Sequence, residues 1–173
     1  MDFTKLRDAL RQSEALRLKP YRDTKGKLTI GIGRNLDDKG ITEDEAYFLN
    51  DNDIHDAQVL LDQNLPWWRQ LDEVRQRAMV ELCFNMGIGD SKRGLLSFKN
   101  TLQYLRAGDW ESASSGFLHS KWALDVKATR ARRIAEMIRT GTDIPPRGKR
   151  RGGRLGPRKS RRKAAPKKKG GRR

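Results

Sequence analysis

The sequence predicts an α+β fold: a mainly helical body with one small sheet, followed by a separate basic tail. Apolar residues recur at helical spacing through most of the chain, between capping residues and glycines. One early stretch, Leu28-Thr29-Ile30-Gly31-Ile32, has strand composition instead. The charge is also divided. Of 38 Lys and Arg, 15 lie between Arg147 and Arg173 with no acid among them, which leaves 23 basic against 22 acidic residues in the rest. The net charge of +16 is therefore almost wholly a property of the tail and bears on its partners more than on the fold.

Phe3, Leu6 and Leu10 predict an amphipathic helix ending near Ser13 or Glu14. Arg17 to Arg22 and Lys27 to Gly33 flank the polar turn Asp23-Thr24-Lys25-Gly26 and predict a β-hairpin. Thr42-Glu43-Asp44-Glu45 is a capping box that launches a long helix from Glu43 to about Leu61. Pro66 precedes a second long pattern, Trp67 to Phe84, with Leu71, Val74, Ala78 and Leu82 on one face. Further helices are expected over Ser97 to Arg106, Asp109 to Leu118 and Lys127 to Arg139. The body is expected to span residues 1–144. The tail, 145–173, holds four prolines, six glycines and Leu155 as its only larger aliphatic residue; it cannot bury enough apolar surface to offset ordering and is expected to be disordered when free.

Several function classes are disfavoured. No run approaches the roughly 18 apolar residues of a membrane span, and Met1-Asp2-Phe3-Thr4 does not open a secretory signal, so the chain is expected to fold in the cytoplasm where it is made. The lone cysteine, Cys83, lies in an apolar run and reads as core. His55 and His119 have no ligand-spaced partner, so neither a metal nor a cofactor is expected. Gly31-Ile32-Gly33 lacks the third glycine and following helix of a phosphate loop. Trp67, Trp68, Trp110 and Trp122 suit core packing better than sugar stacking, Trp122 best of all.

Two carboxylates stand in contrasting surroundings. Glu14 falls at the C-terminal end of a helix, where the dipole disfavours negative charge and suits a group that must keep its proton. Asp23, nine residues on, occupies an open polar turn that favours the ionised form. Hydrolysis of a glycosidic bond needs such a pair. Solvated surface acids, however, show the same pattern, and spacing alone does not choose between the two.

The choice comes from the wider pattern. Glu14-Ala15-Leu16-Arg17-Leu18-Lys19, then Tyr21-Arg22-Asp23-Thr24 with Gly26, then Leu28-Thr29-Ile30-Gly31-Ile32-Gly33 closely resembles the catalytic segment of glycoside hydrolase family 24, the family of T-even bacteriophage lysozyme and many phage endolysins. The resemblance continues through Phe84-Asn85-Met86-Gly87, Ser97-Phe98-Lys99-Asn100-Thr101-Leu102, Ser120-Lys121-Trp122, Arg130-Ala131-Arg132-Arg133 and Arg139-Thr140-Gly141-Thr142, covering about residues 5 to 142. It implies a lysozyme-like fold, a small lobe with the hairpin joined by a long helix to a helical lobe. It further implies that Glu14 is the general acid, Asp23 the general base for an attacking water, and Thr29 a hydroxyl holding that water. Inversion at the sugar would follow, with the carboxyl groups about 6.5 to 9.5 Å apart. Phe84, Asn100 and Thr101 match positions lining the sugar cleft. Arg130 would pack against Glu14 and favour its charged form, opposing the helix dipole.

There are three departures. Arg34 stands where a well-known family member has histidine, which suggests a changed surface ion pair. Gly116 replaces a binding asparagine, and the stretch between Asn35 and Thr42 is short. The implied substrate is bacterial peptidoglycan, cut between N-acetylmuramic acid and N-acetylglucosamine by a monomer that reaches the wall after membrane permeabilisation. The tail is expected to meet the anionic envelope, such as lipopolysaccharide. It lacks aromatics for base stacking and so argues against specific nucleic-acid binding. An inactive wall-binding module and a nucleic-acid binder acting through the tail are the alternatives.

Overall fold

Asp2 starts the first helix by accepting from the backbone N–H groups of Thr4 and Lys5, and α1 (Phe3–Glu14) follows. In the computed structural model, which describes residues 1–144, every residue of α1 is exposed, including the apolar stripe of Phe3, Leu6 and Leu10. The expectation of a disordered tail over 145–173 lies outside the described residues.

The predicted hairpin is present and gains a third strand. Strand β1 (Arg17–Arg22) pairs antiparallel with β2 (Leu28–Gly31), and β2 pairs with β3 (Arg34–Asn35), in the order β1-β2-β3. Tyr21 lies opposite Thr29, and Thr29 opposite Asn35. A two-residue strand carries too little pattern to be read from composition. Thr29 is the one buried residue of the sheet.

The capping box forms as predicted. The Glu45 N–H donates to Thr42 Oγ1 (3.2 Å) and the Thr42 N–H to Glu45 Oε2 (2.7 Å), opening α2 (Glu43–Asn64). The first half of α2 is mostly exposed, whereas Ala57 and Leu61 in the second half enter the core. The helix therefore carries the sheet at one end and joins the helical body at the other.

The single helix expected from Trp67 to Phe84 is instead two elements, a 3₁₀ turn (Pro66–Gln70) and α3 (Glu73–Met86). Trp68 is buried and donates its indole N–H to Asp62, while Arg69 reaches the same carboxylate. Those contacts fix the turn; Leu71 is extended, and Asp72 restarts the helix by accepting from the Arg75 N–H. A 3₁₀ turn (Leu95–Ser97), α4 (Lys99–Ala107), α5 (Trp110–Leu118), the short α6 (Lys121–Asp125) and α7 (Ala128–Thr140) complete the body. Helix α6 was not anticipated, since five residues are too few for a periodic signal.

The core gathers α2, α3, α4, α5 and α7 around Leu61, Trp68, Met79, Leu82, Phe117 and Ile138, all within 1% of full burial. The tryptophans lean to the core, but Trp68, at 1% exposure, is buried more fully than Trp122 at 9%, the one expected to be best; Trp122 donates its indole N–H to Asn85 Oδ1, and Trp110, partly buried, lies under the Arg75 guanidinium. Cys83 is buried too, and desolvation pushes its thiol up from the ordinary range. Arg75 also ties α3 to the end of α7, donating to the carbonyls of Ile138 and Arg139.

At Gly116 helix α5 packs directly against Thr101 of α4. A methyl group there would sit 2.3 Å from Thr101 Oγ1 and 3.0 Å from its Cγ2. This close approach accounts for glycine at a position where the resemblance supplies asparagine. Gly116→Ala is expected to lower stability by about 1–3 kcal/mol through overpacking, measured by urea unfolding. Adding Thr101→Ala should return part of the loss, a non-additivity that contacting residues show and distant ones do not.

Candidate active site

The seat of the second carboxylate is built first by the chain itself. Asp23 closes the β1–β2 turn with its backbone: its N–H donates to the Lys27 carbonyl (3.0 Å), and its carbonyl accepts from the Gly26 N–H (2.9 Å). Gly26 takes a positive φ of 76°, which a residue with a Cβ adopts only at a cost. The Asp23 side chain then folds back over the turn. Its Oδ1 accepts from the N–H groups of both Lys25 and Lys27, each at 2.8 Å. One carboxylate oxygen is thus fixed by two backbone donors, leaving Oδ2 outside these bonds.

Thr29 shares that frame. Its hydroxyl donates to the Lys27 carbonyl (3.2 Å), and with 3% exposure it is held tightly in the sheet. Lys27 therefore serves Asp23 and Thr29 together through its backbone. This role left no trace in the sequence, because any residue but proline supplies the same N–H and C=O.

Glu14 ends α1 and lies against the turn between β2 and β3. A Cβ on Gly33 would meet Glu14 Oε2 at 3.4 Å, and Gly33 has a φ of +71°. Ala15, immediately after Glu14, is the only non-glycine residue with positive φ among those described. Chain reversal there delivers Glu14 to the sheet. The two carboxylates thus sit on successive turns of one three-stranded sheet, with β2 between them.

Farther along the chain, Phe84 on α3 is 49% exposed and lines a cavity of about 500 Å³ with Ile54, Val80, Asn85, Trp68 and Arg130. Asn100, in the first turn of α4, is exposed; Thr101 beside it is turned inward against Gly116, with 7% exposure. The structure does not join Arg130 to Glu14. Among the described residues Glu14 has no ion-pair partner, because α1 stands exposed along its whole length and its end meets the sheet instead of α7. The arginines of that helix that do form pairs are Arg133, with Glu81, and Arg139, with Glu111 and Glu136.

Arg34 fits the ion-pair reading. It forks onto Glu45 (2.9 and 2.7 Å) and donates its Nε to the Gly40 carbonyl (2.8 Å), fastening β3 to the start of α2. The Thr42 N–H foremost, with Arg34 assisting, holds the Glu45 carboxyl below its usual range. No group of three or more potential metal ligands occurs among the described residues, and no described helix is long and apolar enough to cross a membrane.

Comparison with known proteins places this arrangement. The pre-baseplate central spike protein Gp5 of Enterobacteria phage T4 is 32% identical over a match covering 78% of this chain, which spans only 27% of that longer protein. Probable T4-type lysozymes 1 and 2 of Dictyostelium discoideum are 27% and 24% identical, each match covering 79% of this chain and 95% of the relative. The phage lysozyme family model matches residues 11–136, a stretch that holds Glu14, the entire sheet and all of α2 to α6. With the α+β architecture and that span in agreement, the chain belongs to the phage lysozyme family.

Proposed function

We propose that the protein is a muramidase that hydrolyses the β-1,4 bond between N-acetylmuramic acid and N-acetylglucosamine in peptidoglycan. Family membership supports a glycoside hydrolase. The observation that carries the finer reading is the seating of Glu14 and Asp23 on successive turns of one sheet, with Thr29 locked between them.

Glu14 gives its proton to the leaving oxygen, and Asp23 takes one from a water attacking the opposite face of the sugar. Asp23 suits the base because its Oδ1 is anchored by two backbone N–H groups, which orients the carboxylate without consuming Oδ2. Thr29, anchored through its donated proton, keeps its oxygen lone pairs for the water. Inversion is the proposed outcome, which requires the two carboxyl groups to stand about 6.5–9.5 Å apart with a water beneath the sugar. Phe84 and Asn100 are proposed along the sugar groove, whereas Thr101, turned inward against Gly116, is a packing residue. Arg130, in the same cavity as Phe84, serves there as a cation facing substrate.

The biological role proposed is that of a phage-type endolysin, acting as a monomer on the wall once the membrane is breached. Residues 145–173 form the proposed cationic arm, separate from the catalytic body of residues 1–144 and directed at anionic envelope groups such as those of lipopolysaccharide.

Glu14→Gln is expected to lower the rate of turbidity loss of purified wall suspensions by roughly a hundredfold to ten-thousandfold, the usual worth of a general acid. Wild-type turnover by that variant would remove the acid assignment. Mass spectrometry of the digest in labelled water checks the bond cut and the entry of oxygen. A chain truncated after residue 144 is expected to digest purified peptidoglycan at the full rate but to kill intact Gram-negative cells less well, with the difference shrinking as salt is raised. Equal killing by both forms would rule out the envelope role for the tail.

A further inference from the structure

We propose that Asp37 and Asp38 are positioning residues for the catalytic turn, gripping Lys27 and Leu28 so that the Lys27 ammonium stays off the carboxylate of Asp23. The proposal rests on the reading of Asp23 as the base.

Lys27 serves the site through its backbone, yet that placement brings a cation on a flexible four-carbon stem beside the base. The ammonium is drawn elsewhere. It donates to Asp38 Oδ1 at 2.8 Å. Asp38 is braced in turn by Asn35, whose Oδ1 accepts from the Asp38 N–H (2.9 Å) and whose Nδ2 donates to Asp38 Oδ2 (3.0 Å). The neighbouring Asp37 accepts from the Leu28 N–H (2.9 Å), and the Leu36 N–H donates to the Leu28 carbonyl (2.7 Å). The segment Leu36–Asp38 thus holds the end of the turn at three points, through the ammonium and both backbone groups of Leu28.

The charges around the ammonium fit this. The hydrogen bond to Asp38 is foremost in raising the Lys27 pKa, with Asp38, Asp37 and Asp23 adding attraction, so Asp23 is within electrostatic reach. Lys27 likewise holds the Asp38 carboxyl below the usual range. Arg22, another nearby cation, donates to the Gly26 carbonyl (2.7 Å) and lies 3.9 Å from Asp37. Lys25 shares the turn and contributes its N–H to Asp23. The Lys27–Asp38 pair is 42% and 61% exposed, and exposed pairs add little to stability. Its effect is on direction. An ammonium released onto Asp23 would keep the carboxylate charged to lower pH and weaken it as a base.

The test is Asp38→Asn, which keeps the side-chain shape and removes its charge. On soluble uncross-linked peptidoglycan, kcat is expected to fall about tenfold, as for a modest displacement of a catalytic group, with KM little changed. The acid limb of the rate–pH profile should move to lower pH. Asp38→Glu should restore much of the rate, and Lys27→Met placed in the Asp38→Asn background should recover it, because no ammonium then remains. Melting temperatures are measured in parallel. Wild-type kinetics in Asp38→Asn would overturn the proposal. So would a rate loss with an unmoved acid limb that Lys27→Met does not relieve, since that pattern marks a merely structural part. Asp23→Asn separates the two readings. If it is inert while Asp38→Asn behaves as wild type, only the positioning role falls; if Asp23→Asn turns over normally, the base assignment fails and the positioning role with it.

Discussion

The small sheet depends on the fork between Arg34 and Glu45. Three strands that bury only Thr29 have no core to fix their place, and strands so short are not independently stable. What locates them is a polar clasp. Arg34 meets Glu45 with two parallel N–H groups and the Gly40 carbonyl with a third. Bidentate geometry sets orientation as well as distance, which a lysine at the same point does not do. Glu45 is simultaneously the capping residue of α2. One carboxylate therefore starts the connecting helix and secures the sheet that seats Glu14, Asp23 and Thr29.

The helical body obtains its order by the opposite means. Its helices share a dry core, and its polar links lie at the edges: Arg75 on the closing carbonyls of α7, Trp122 on Asn85, Arg133 on Glu81. Because α3 takes part in all three links, Phe84 is presented from a well-anchored helix, whereas Glu14 is presented from the end of the exposed α1 and Asp23 from a turn. The proposed site thus draws on two kinds of support, a core-packed helix and a polar-clasped sheet.

How much of this was legible depended on whether the information lay in residue type or in backbone geometry. Glu14, Asp23 and Thr29 stand out as candidates because their neighbours form a dense local pattern, and α2 was recognisable from four residues of capping chemistry. The break at Leu71-Asp72 was not, since Trp67 to Phe84 keeps an apolar face straight through it. The decisive contact, Trp68 with Asp62, lies across the preceding helix. The backbone service of Lys27 and the seat at Gly33 were equally hidden. In the first, side-chain identity is irrelevant; in the second, the message is the absence of a side chain. The expected contact of Arg130 with Glu14 depended on how α1 meets the helical body, a tertiary relation for which residue pattern is a poor guide.

The packing of Gly116 on Thr101 ties two positions into a single heritable unit. While Thr101 holds its present rotamer on the α4 side, any side chain on the α5 side collides with it, so adding a polar group there in one step carries a packing cost. An amide at position 116 of this chain is best accommodated by a smaller or differently turned residue at 101, acquired first or at the same time. The order of substitutions, and not only the chemistry of the sugar, then limits which groove linings this branch of the family can reach.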